Sequence, residues 1–500
     1  MQVTPDFTAF EASLAAGRPV LVWTSFVADL ETPVSAMLKL ADGRPNSFLF
    51  ESVEGGASRG RYSVIGLKPD LIWRCYGDRA EINRHARFDP DAFITEEDGA
   101  LQSLRRLVAE CRVETPAPLP PMASGLFGYM GYNMVALMER LPDRNPDLLE
   151  IPDGLFLRPS VISIFDNIAD RVTLVTTAWP NADLSVRAAY DQAQERLADV
   201  LADFERSLPH RRENPESLRE LPAPTGNVTR DQYMAMVETA KEYIRAGEAF
   251  QILPSMRMRI PFRLPPFALY RALRRLNPSP FLFFLDFGNF CVVGSSPEIL
   301  VRVRDGKVTI RPLAGTRRRG ANAAEDKALE AELLGDPKER AEHLMLVDLA
   351  RNDVGRVAKI GTVKVTESFI IERYSHVMHI GSNVEGELDP NYDALGALIA
   401  GFPAGTLSGA PKVRAMELID ELEIERRNLY GGAIGYFAGD GSMDTCLVLR
   451  TAIVKNEVMV AQAGGGVVAD SVPAAEYQEA LDKMRALFVA AEEAVRFARE

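Results

Sequence analysis

Apolar residues recur at intervals of three and four along several segments, a spacing that places them on one face of a helix. One such segment follows Thr229, a residue type that caps helices well. Pro337 suits the first position of another, because that position has no intrahelical use for an amide hydrogen. The pattern predicts helices at about 184–206, 231–246, 323–335, 337–351 and 474–496.

Short runs rich in β-branched and aromatic residues, bounded by turn-forming residues, predict strands. In the first part of the chain they lie at 47–51, 62–67, 71–76, 125–129 and 161–165. Later ones lie at 252–259, 281–287, 290–295, 300–303, 307–311 and 458–463. Strands and helices are mixed without regular βα alternation, which favours an α+β fold over a doubly wound sheet.

A stretch rich in Pro, Arg, Glu and Ser follows the helix predicted at 184–206. Such composition is typical of a connection between packed regions. We therefore expect an amino-terminal region at 1–206, a linker at 207–228 and a carboxy-terminal region at 229–500. The sequence contains no internal repeat or low-complexity tract.

Composition and charge narrow the classes of function. The chain has 500 residues, of which 47% are apolar and 25% charged, which are ordinary values for a globular protein. Its net charge of -13 is poorly suited to non-specific binding of nucleic acid or an anionic membrane, so neither is expected as a partner. A small anionic substrate would need a local positive site or a metal ion.

The cellular location is also constrained by the sequence. Met1 to Phe10 lacks the basic region of a signal peptide, and no apolar run reaches membrane-spanning length. The cysteines are widely scattered, which fits neither a disulfide framework nor a zinc pattern. They are Cys75, Cys111, Cys291 and Cys446. We expect reduced, packed thiols in a cytoplasmic protein.

Two pairs of glutamates have the same helical spacing. Glu339 and Glu342 share one face of the helix predicted at 337–351, and Glu476 and Glu479 share one face of the last helix. Carboxylates from two helices could surround one hard divalent cation. Taken alone, glutamates at this spacing are more typical of an ordinary solvated helix face than of a metal site.

A glycine run precedes the second pair. Gly464, Gly465 and Gly466 lie between a predicted strand and a helix, where their amide groups are open to an anion. Arg450 follows an apolar stretch and could direct its guanidinium at a carboxylate. The plain alternatives are a flexible turn and a surface arginine.

Several longer motifs carry a resemblance to the chorismate-utilising enzymes. They occur in the family's order from about residue 229 to 490, and together they are highly specific. They are Gly294-Ser295-Ser296-Pro297-Glu298, the block from His343 to Arg356, Ser375-His376-Val377-Met378-His379, the block from Pro403 to Lys412, Tyr430-Gly431-Gly432-Ala433-Ile434-Gly435-Tyr436, and the Gly464 loop. A looser similarity extends to Phe50-Glu51-Ser52, Gly60-Arg61-Tyr62-Ser63 and Gly125 to Tyr132.

The resemblance implies a two-domain α+β fold with a β-sandwich core flanked by helices, Mg²⁺ dependence and chorismate as substrate. Glu342 and Glu479 match the family's metal ligands, and Glu339 and Glu476 match residues that support them. The residues that match groups holding the substrate are Tyr430, Arg450, Gly464, Gly465, Gly466 and Lys483. The residues that match the catalytic groups are Glu298, the acid for the departing C4 hydroxyl, His379, implicated in loss of pyruvate, and Thr406, which lines the pocket.

Two positions distinguish relatives within the family. Isochorismate and salicylate synthases carry a water-activating lysine where this chain has Gln251, so water attack is disfavoured and ammonia becomes the expected nucleophile. Aminodeoxychorismate synthases usually carry a lysine in a segment that reads Ala314-Gly315-Thr316 here. Ala314 removes that nucleophile and favours attack at C2. Within the family the sequence therefore resembles the large subunits of anthranilate synthases, which make anthranilate and pyruvate in the first committed step of tryptophan biosynthesis.

Further partners follow from the same resemblance. None of the cysteines lies in a recognisable glutaminase motif, so a separate glutamine amidotransferase subunit, the second component of anthranilate synthases, is expected in a hetero-oligomer. Two segments resemble the halves of the family's L-tryptophan feedback site. They contain Glu51, Ser52, Pro278, Ser279, Phe281 and Leu282. Phe281 replaces the usual tyrosine, and a packed turn is the plain alternative.

Three other functions remain open at this point. The enzyme could stop at 2-amino-2-deoxyisochorismate, although His379 argues against that product. It could instead be an aminodeoxychorismate synthase. A protein without catalysis, a tryptophan-binding regulatory subunit, is the alternative from a different class.

Overall fold

The computed structural model describes residues 2–41, 43–54, 58–209, 219–374 and 377–499. Ser375 and His376 of one motif, and residues 210–218 of the predicted linker, lie outside the described residues. The helices are α1 (Phe7–Ala15), α2 (Pro33–Ala41), α3 (Ala100–Glu110), α4 (Val186–Phe204), α5 (Arg230–Arg245), α6 (Pro266–Leu276), α7 (Ala323–Gly335), α8 (Pro337–Gly355), α9 (Ala394–Gly401), α10 (Gly405–Ser408), α11 (Lys412–Leu422) and α12 (Pro473–Arg499).

The strands fall in two series, one on each side of the predicted linker. Those before it are β1 (Val20–Val27), β2 (Ser47–Glu51), β3 (Val53–Glu54), β4 (Ser58–Arg59), β5 (Tyr62–Tyr76), β6 (Arg79–Asn83), β7 (Ile94–Gly99), β8 (Gly125–Met130), β9 (Gly154–Asp166) and β10 (Arg171–Ala178). β11 (Thr225–Gly226) lies at the end of the predicted linker. Those after it are β12 (Gln251–Ile252), β13 (Ser255–Pro261), β14 (Phe281–Asp286), β15 (Cys291–Ser296), β16 (Ile299–Arg304), β17 (Lys307–Ile310), β18 (Leu313–Arg318), β19 (Lys364–Arg373), β20 (Val377–Glu387), β21 (Gly409–Ala410), β22 (Ala433–Ala438), β23 (Met443–Leu447), β24 (Thr451–Lys455) and β25 (Val458–Gly464).

The predicted helix starts are confirmed where a cap defines them. At α5 the Thr229 side chain accepts from the Gln232 amide, and the Gln232 side chain accepts from the Thr229 amide in return. At α8 the Asp336 carboxylate accepts from the Lys338 and Glu339 amides, with Pro337 in the first turn. Local chemistry therefore determines where both helices begin.

Two strand predictions are wrong. The runs at 62–67 and 71–76 form the single strand β5, which pairs with β9 across an irregularity between Pro69 and Leu71. The run at 252–259 is instead divided into β12, which pairs with β21, and β13, which pairs with β25. Pro254 lies at the break and lacks an amide hydrogen for a sheet bond, so the chain changes partner there.

The strands enclose a sandwich core. On β14 the side chains alternate: Phe283 and Leu285 lie in a core built almost entirely from strands, whereas Leu282 and Phe284 lie in a second core that helices cover. Helices α5, α6 and α12 contribute to the second core, and α3, α8 and α9 contribute to a third on another side. This arrangement confirms the α+β class with a β-sandwich core flanked by helices.

Strands from both predicted regions share one hydrogen-bonded sheet. β2 pairs with β14, placing Glu51 opposite Leu282, and β8 pairs with β22, placing Met130 opposite Ala433. The boundaries at 206 and 229 remain a prediction. All four cysteines are buried and unpaired. None of the helices in the described part of the chain has the length and apolarity needed to cross a membrane.

Candidate active site

Glu298 and Thr406 come together although they are far apart in sequence. Glu298 lies in the turn between β15 and β16, and Thr406 lies in α10. The Thr406 hydroxyl donates to Glu298 Oε1 at 3.4 Å. Burial raises the pKa of Glu298 to about 8, opposed by this hydrogen bond and by one from the Leu313 backbone. Glu298 therefore holds its proton at neutral pH, as a general acid must.

His379, on β20, faces the first residues of β18. Its Nδ1 lies 2.9 Å from the Gly315 carbonyl oxygen and 3.1 Å from the Thr316 hydroxyl. Because a carbonyl only accepts, Nδ1 carries the hydrogen and Nε2 keeps a free electron pair. Nε2 is buried and has no hydrogen-bond partner among the described residues. Burial lowers the pKa of His379, so the imidazole is a neutral base.

The segment around Ala314 is shaped for close packing. Gly315 has a φ of 66°, and a Cβ there would come within 3.0 Å of Glu339 Oε2. The pairing of β18 with β20 is irregular between Ala314 and Arg317. This backbone conformation brings the Gly315 carbonyl to His379 and a carboxylate of α8 close to the same strand.

Gln251 connects the glycine loop to α8. Its amide group donates to Glu342 Oε1 at 3.1 Å. A Cβ on Gly466 would come within 2.5 Å of Gln251 Nε2, so glycine is needed for that approach. Ile252 and Val467 exchange two backbone hydrogen bonds beside it. The side chain of Gln251 is buried. It is a neutral hydrogen-bond donor, and an amide cannot act as a base.

The four glutamates lie on α8 and α12, and all of them already have protein partners, with the Ser471 side chain hydrogen-bonded to Glu476. Arg317 pairs with Glu339 at 3.2 Å, Gln251 donates to Glu342, and Lys483 pairs with Glu479 at 2.8 Å. Among the described residues, no three metal-ligating side chains form a group close enough to hold an ion. The predicted ligands thus share a region without forming a closed cluster.

Two observations nevertheless fit a hard divalent cation at these glutamates. Glu476 Oε2 is buried and has no hydrogen-bond partner within the described ranges, and a Cβ on Gly465 would lie 2.5 Å from it. Burial raises the pKa of Glu342, and the carboxylates of Glu339 and Glu479 add to that shift. A cation would relieve this repulsion, and carboxylate oxygens are the donors that Mg²⁺ prefers.

The glycine loop contacts two of the residues that are predicted to bind the substrate. Lys483 donates to the Gly464 carbonyl at 2.9 Å, and Tyr430 interacts with the Gly464 backbone amide. Burial raises the pKa of Tyr430 to about 12, so its hydroxyl remains a donor at neutral pH. Arg450 is half-buried and has a φ of 46°. Its guanidinium interacts electrostatically with the carboxyl group of Glu298.

The sequence reasoning missed a buried arginine that supports several of these groups. Arg427 pairs with Glu423 at 2.6 Å, and both side chains are almost fully buried. Arg427 also donates to the carbonyls of Leu407 and Leu253, and it lies 5.4 Å from the Tyr430 ring centroid. Its place just before the Tyr430 motif was an available signal, but only the tertiary contacts reveal what it holds.

A second missed pair explains why two motifs occur together. Lys412 ends the block that contains Thr406, and Asp353 lies in the block that begins at His343. Lys412 Nζ lies 2.9 Å from Asp353 Oδ2, and both side chains are largely buried. The pair fastens the segment carrying Thr406 to the helix carrying Glu342.

The two predicted halves of the tryptophan site meet at a cavity of about 480 Å³. Glu51 pairs with Leu282 across β2 and β14. Glu51 also accepts from Arg274 and Tyr270, which fixes it to α6. The cavity lining includes Glu51, Ser52, Phe281 and Leu282, together with Phe50, Phe127, Phe283, Tyr436 and Asp444. Pro278 and Ser279 lie in the turn before β14, outside the lining that the described residues form.

Comparisons with known proteins identify the family of the chain. The chain matches the family described as chorismate binding enzyme over residues 62–489. Anthranilate synthase component 1 from Cereibacter sphaeroides is 59% identical over 494 residues, covering 99% of both chains. The same component from Pseudomonas aeruginosa is 48% identical, covering 92% of this chain and 93% of the other.

Solved structures give the same result for the fold. Anthranilate synthase component I from Streptococcus pneumoniae superposes with a TM-score of 0.76 and 34% identity, covering 86% of this chain and 92% of that one. The menaquinone-specific isochorismate synthase from Escherichia coli, at 19% identity, shares the fold with a TM-score of 0.69 over 97% and 99% of the two chains. The chain therefore belongs to the chorismate-binding enzymes and, within them, to the anthranilate synthase component 1 family.

Proposed function

We propose that this chain converts chorismate and ammonia to anthranilate and pyruvate, as the chorismate-converting subunit of an anthranilate synthase in tryptophan biosynthesis. The observation that carries the proposal is that two predicted catalytic residues have opposite protonation states at neutral pH. Glu298 is buried and protonated at neutral pH, whereas His379 is neutral with Nε2 free. Pairs of groups whose environments separate their pKa values are typical of acid–base catalysis in two steps.

In the first step ammonia attacks C2 of the ring, and the C4 hydroxyl leaves as water with the proton of Glu298. Glu298 suits this role because burial keeps it protonated, and Thr406 orients the carboxyl group. Gln251 lies on the nucleophile side as a neutral donor, and Ala314 offers no competing nucleophile. These two side chains support ammonia rather than water or a lysine amine as the attacking group.

In the second step the enolpyruvyl group leaves as pyruvate and the ring becomes aromatic. This step removes a proton from C2 and supplies one to the departing enolpyruvyl carbon. Nε2 of His379 accepts the ring proton, because the Gly315 carbonyl holds the other nitrogen in its protonated form. The two chemical steps therefore depend on different residues.

Chorismate carries two carboxylates, and the site offers separate groups for them. Tyr430, Arg450 and the amides of the Gly464 to Gly466 loop hold the enolpyruvyl carboxylate, and Lys483 adds positive charge beside the loop. Glu342 and Glu479, supported by Glu339 and Glu476, would hold Mg²⁺, which would supply positive charge to neutralise the ring carboxylate. The unpartnered oxygen of Glu476 supports this assignment.

The source of ammonia is a partner protein, a glutamine amidotransferase subunit that joins this chain in a hetero-oligomer. The names of the relatives as component 1 support a second component.

L-Tryptophan binds in the cavity at Glu51, Ser52, Phe281 and Leu282 and inhibits by feedback, with Pro278 and Ser279 shaping the turn beside it. The aromatic and aliphatic side chains of that cavity, which lie beside charged residues such as Arg302 and Asp444, support an aromatic ligand that also carries charge. Buried, unpaired cysteines support a cytoplasmic location.

One assay tests the proposal. The purified chain is incubated with chorismate, Mg²⁺ and an ammonium salt, and the products are separated by chromatography with fluorescence detection. Anthranilate and pyruvate in equal amounts are expected. Formation of 2-amino-2-deoxyisochorismate alone, of aminodeoxychorismate, or of no product would each contradict the proposal and identify one of the alternatives.

A further inference from the structure

Tyr374 is a buried tyrosine just after β19, held by three hydrogen bonds. Its amide donates to the Val377 carbonyl at 2.8 Å, and its own carbonyl accepts from Arg319 at 2.6 Å. Its hydroxyl donates to Glu372 Oε2 at 2.6 Å. Both the backbone and the side-chain tip of Tyr374 are therefore fixed.

The ring of Tyr374 packs edge-on against the ring of His379. The centroids lie 5.6 Å apart and the planes meet at 61°. The contacts of Nδ1 with the Gly315 carbonyl and the Thr316 hydroxyl anchor one atom of the imidazole, but contacts at one atom alone leave the ring free to swing about it. The edge of Tyr374 provides a further contact, which limits that swing and so determines where Nε2 points.

Glu372 is itself held on its other oxygen. Arg311 Nε donates to Glu372 Oε1 at 2.5 Å, and Arg311 also donates to Glu367 at 2.6 Å. A Cβ on Gly381 would lie 2.8 Å from Glu372 Oε1, so glycine leaves the space that this carboxylate occupies. Glu372 is also the sheet partner of His379 in the pairing of β19 with β20.

Burial and neighbouring carboxyl groups keep the Tyr374 hydroxyl protonated. Burial raises the pKa of the Tyr374 hydroxyl, and the neighbouring Glu372 and Glu298 carboxyl groups raise it further. Tyr374 therefore remains a donor across the whole pH range in which His379 and Glu298 change charge.

We infer that Tyr374 is a positioning residue for His379, and that Glu372, anchored by Arg311, holds Tyr374 in place. The inference rests on the proposed function, in which Nε2 of His379 serves the loss of pyruvate. Tyr374 does not itself transfer a proton in that step. Its contribution is to keep the acceptor nitrogen aimed at the substrate.

The test compares three variants of the full chain. Tyr374→Phe and Glu372→Gln both weaken the link between hydroxyl and carboxylate. Glu367→Gln is the matched control, because it removes the other carboxylate partner of Arg311 without touching Tyr374. With chorismate, Mg²⁺ and ammonium, we expect anthranilate kcat to fall roughly tenfold in the first two, with KM for chorismate changed less than about twofold. 2-Amino-2-deoxyisochorismate should accumulate in both and not in the control.

A second measurement does not depend on turnover. The imidazole signals of His379, assigned by comparison with His379→Leu, should show exchange or a changed pKa in Tyr374→Phe and stay as in the wild type in Glu367→Gln. Two results would overturn the inference: an unchanged His379 signal in Tyr374→Phe, or a parallel loss of both chemical steps without intermediate. Absence of anthranilate from the wild type would defeat the proposed function alone, since the signal still tests the positioning. If Glu372→Gln does not fold, Tyr374→Phe decides.

Discussion

Thr406 and Glu298 are 108 residues apart in sequence and share one hydrogen bond, with 3.4 Å between Oγ1 and Oε1. Hydrogen bonding to a carboxylate stabilises its charged form, so this contact lowers the pKa of Glu298 while burial raises it. The pKa that results from both effects is about 8. The balance of the two effects places the acid just above neutral pH.

The first prediction concerns pH. Glu298 must be protonated to act, so the first step should slow as pH rises through about 8. Thr406→Val removes a bond that lowers the pKa, so the alkaline limb should move to higher pH. The pH profile of kcat at saturating free ammonia measures this. Ser408→Ala is the control, because Ser408 lies in the same helix and bonds Ala404 instead. A limb that stays in place or moves down would refute the assignment.

The second prediction concerns the metal. Glu342→Gln and Glu479→Gln should each reduce Mg²⁺-dependent activity by at least about a hundredfold, because each removes charge that a divalent cation needs. Asp482→Asn changes an exposed acid on the same helix, bonded to Gln478, and should retain activity and Mg²⁺ affinity. Titration of Mg²⁺ by calorimetry and by turnover measures both. Full activity of either glutamate variant in excess chelator would contradict the metal site.

The third prediction separates the two steps. His379→Leu should leave addition of ammonia largely intact but slow the loss of pyruvate by about a hundredfold or more. Chromatography of the quenched reaction should then show 2-amino-2-deoxyisochorismate. His85→Leu, an exposed histidine, should behave as the wild type. If the intermediate accumulated in Glu298→Gln and not in His379→Leu, the two roles would be reversed.

The fourth prediction concerns feedback. L-Tryptophan should inhibit turnover, and Ser52→Ala should weaken that inhibition about tenfold without changing kcat, because Ser52 lines the cavity and is not one of the predicted catalytic residues. Ser25→Ala, an exposed hydroxyl on β1, is the control. Inhibition curves at fixed chorismate provide the measurement. Turnover that is indifferent to saturating tryptophan would exclude a feedback site.

The fifth prediction concerns the nitrogen source. The chain alone should use ammonium at alkaline pH but should not use glutamine, since none of its cysteines is an exposed nucleophile. Addition of a purified amidotransferase component should restore use of glutamine at neutral pH. Efficient glutamine-dependent turnover by the isolated chain would show that the ammonia source lies within it.

The sequence by itself determined the features that depend on neighbouring residues. Thr229 and Pro337 marked where α5 and α8 begin, because the start of a helix depends on only a few neighbouring positions. The motifs likewise supplied the residue types of the site. Glu298 and His379 were identified because their motifs resemble those of a known family, and the glycines at 464–466 because they lie between a predicted strand and a predicted helix.

Only the tertiary structure decided which of these residues act together. Sheet register brings Glu51 opposite Leu282, and a change of partner at Pro254 splits a strand that looked continuous. Burial, which no local pattern specifies, raises the pKa of Glu298 and leaves His379 neutral. The contact of Tyr374 with His379 depends on hydrogen bonds between segments that meet only in the folded sheet. Long-range pairing and desolvation are properties of the whole packed chain. Residue types could therefore be read from the sequence, whereas their contacts and protonation states depend on the fold.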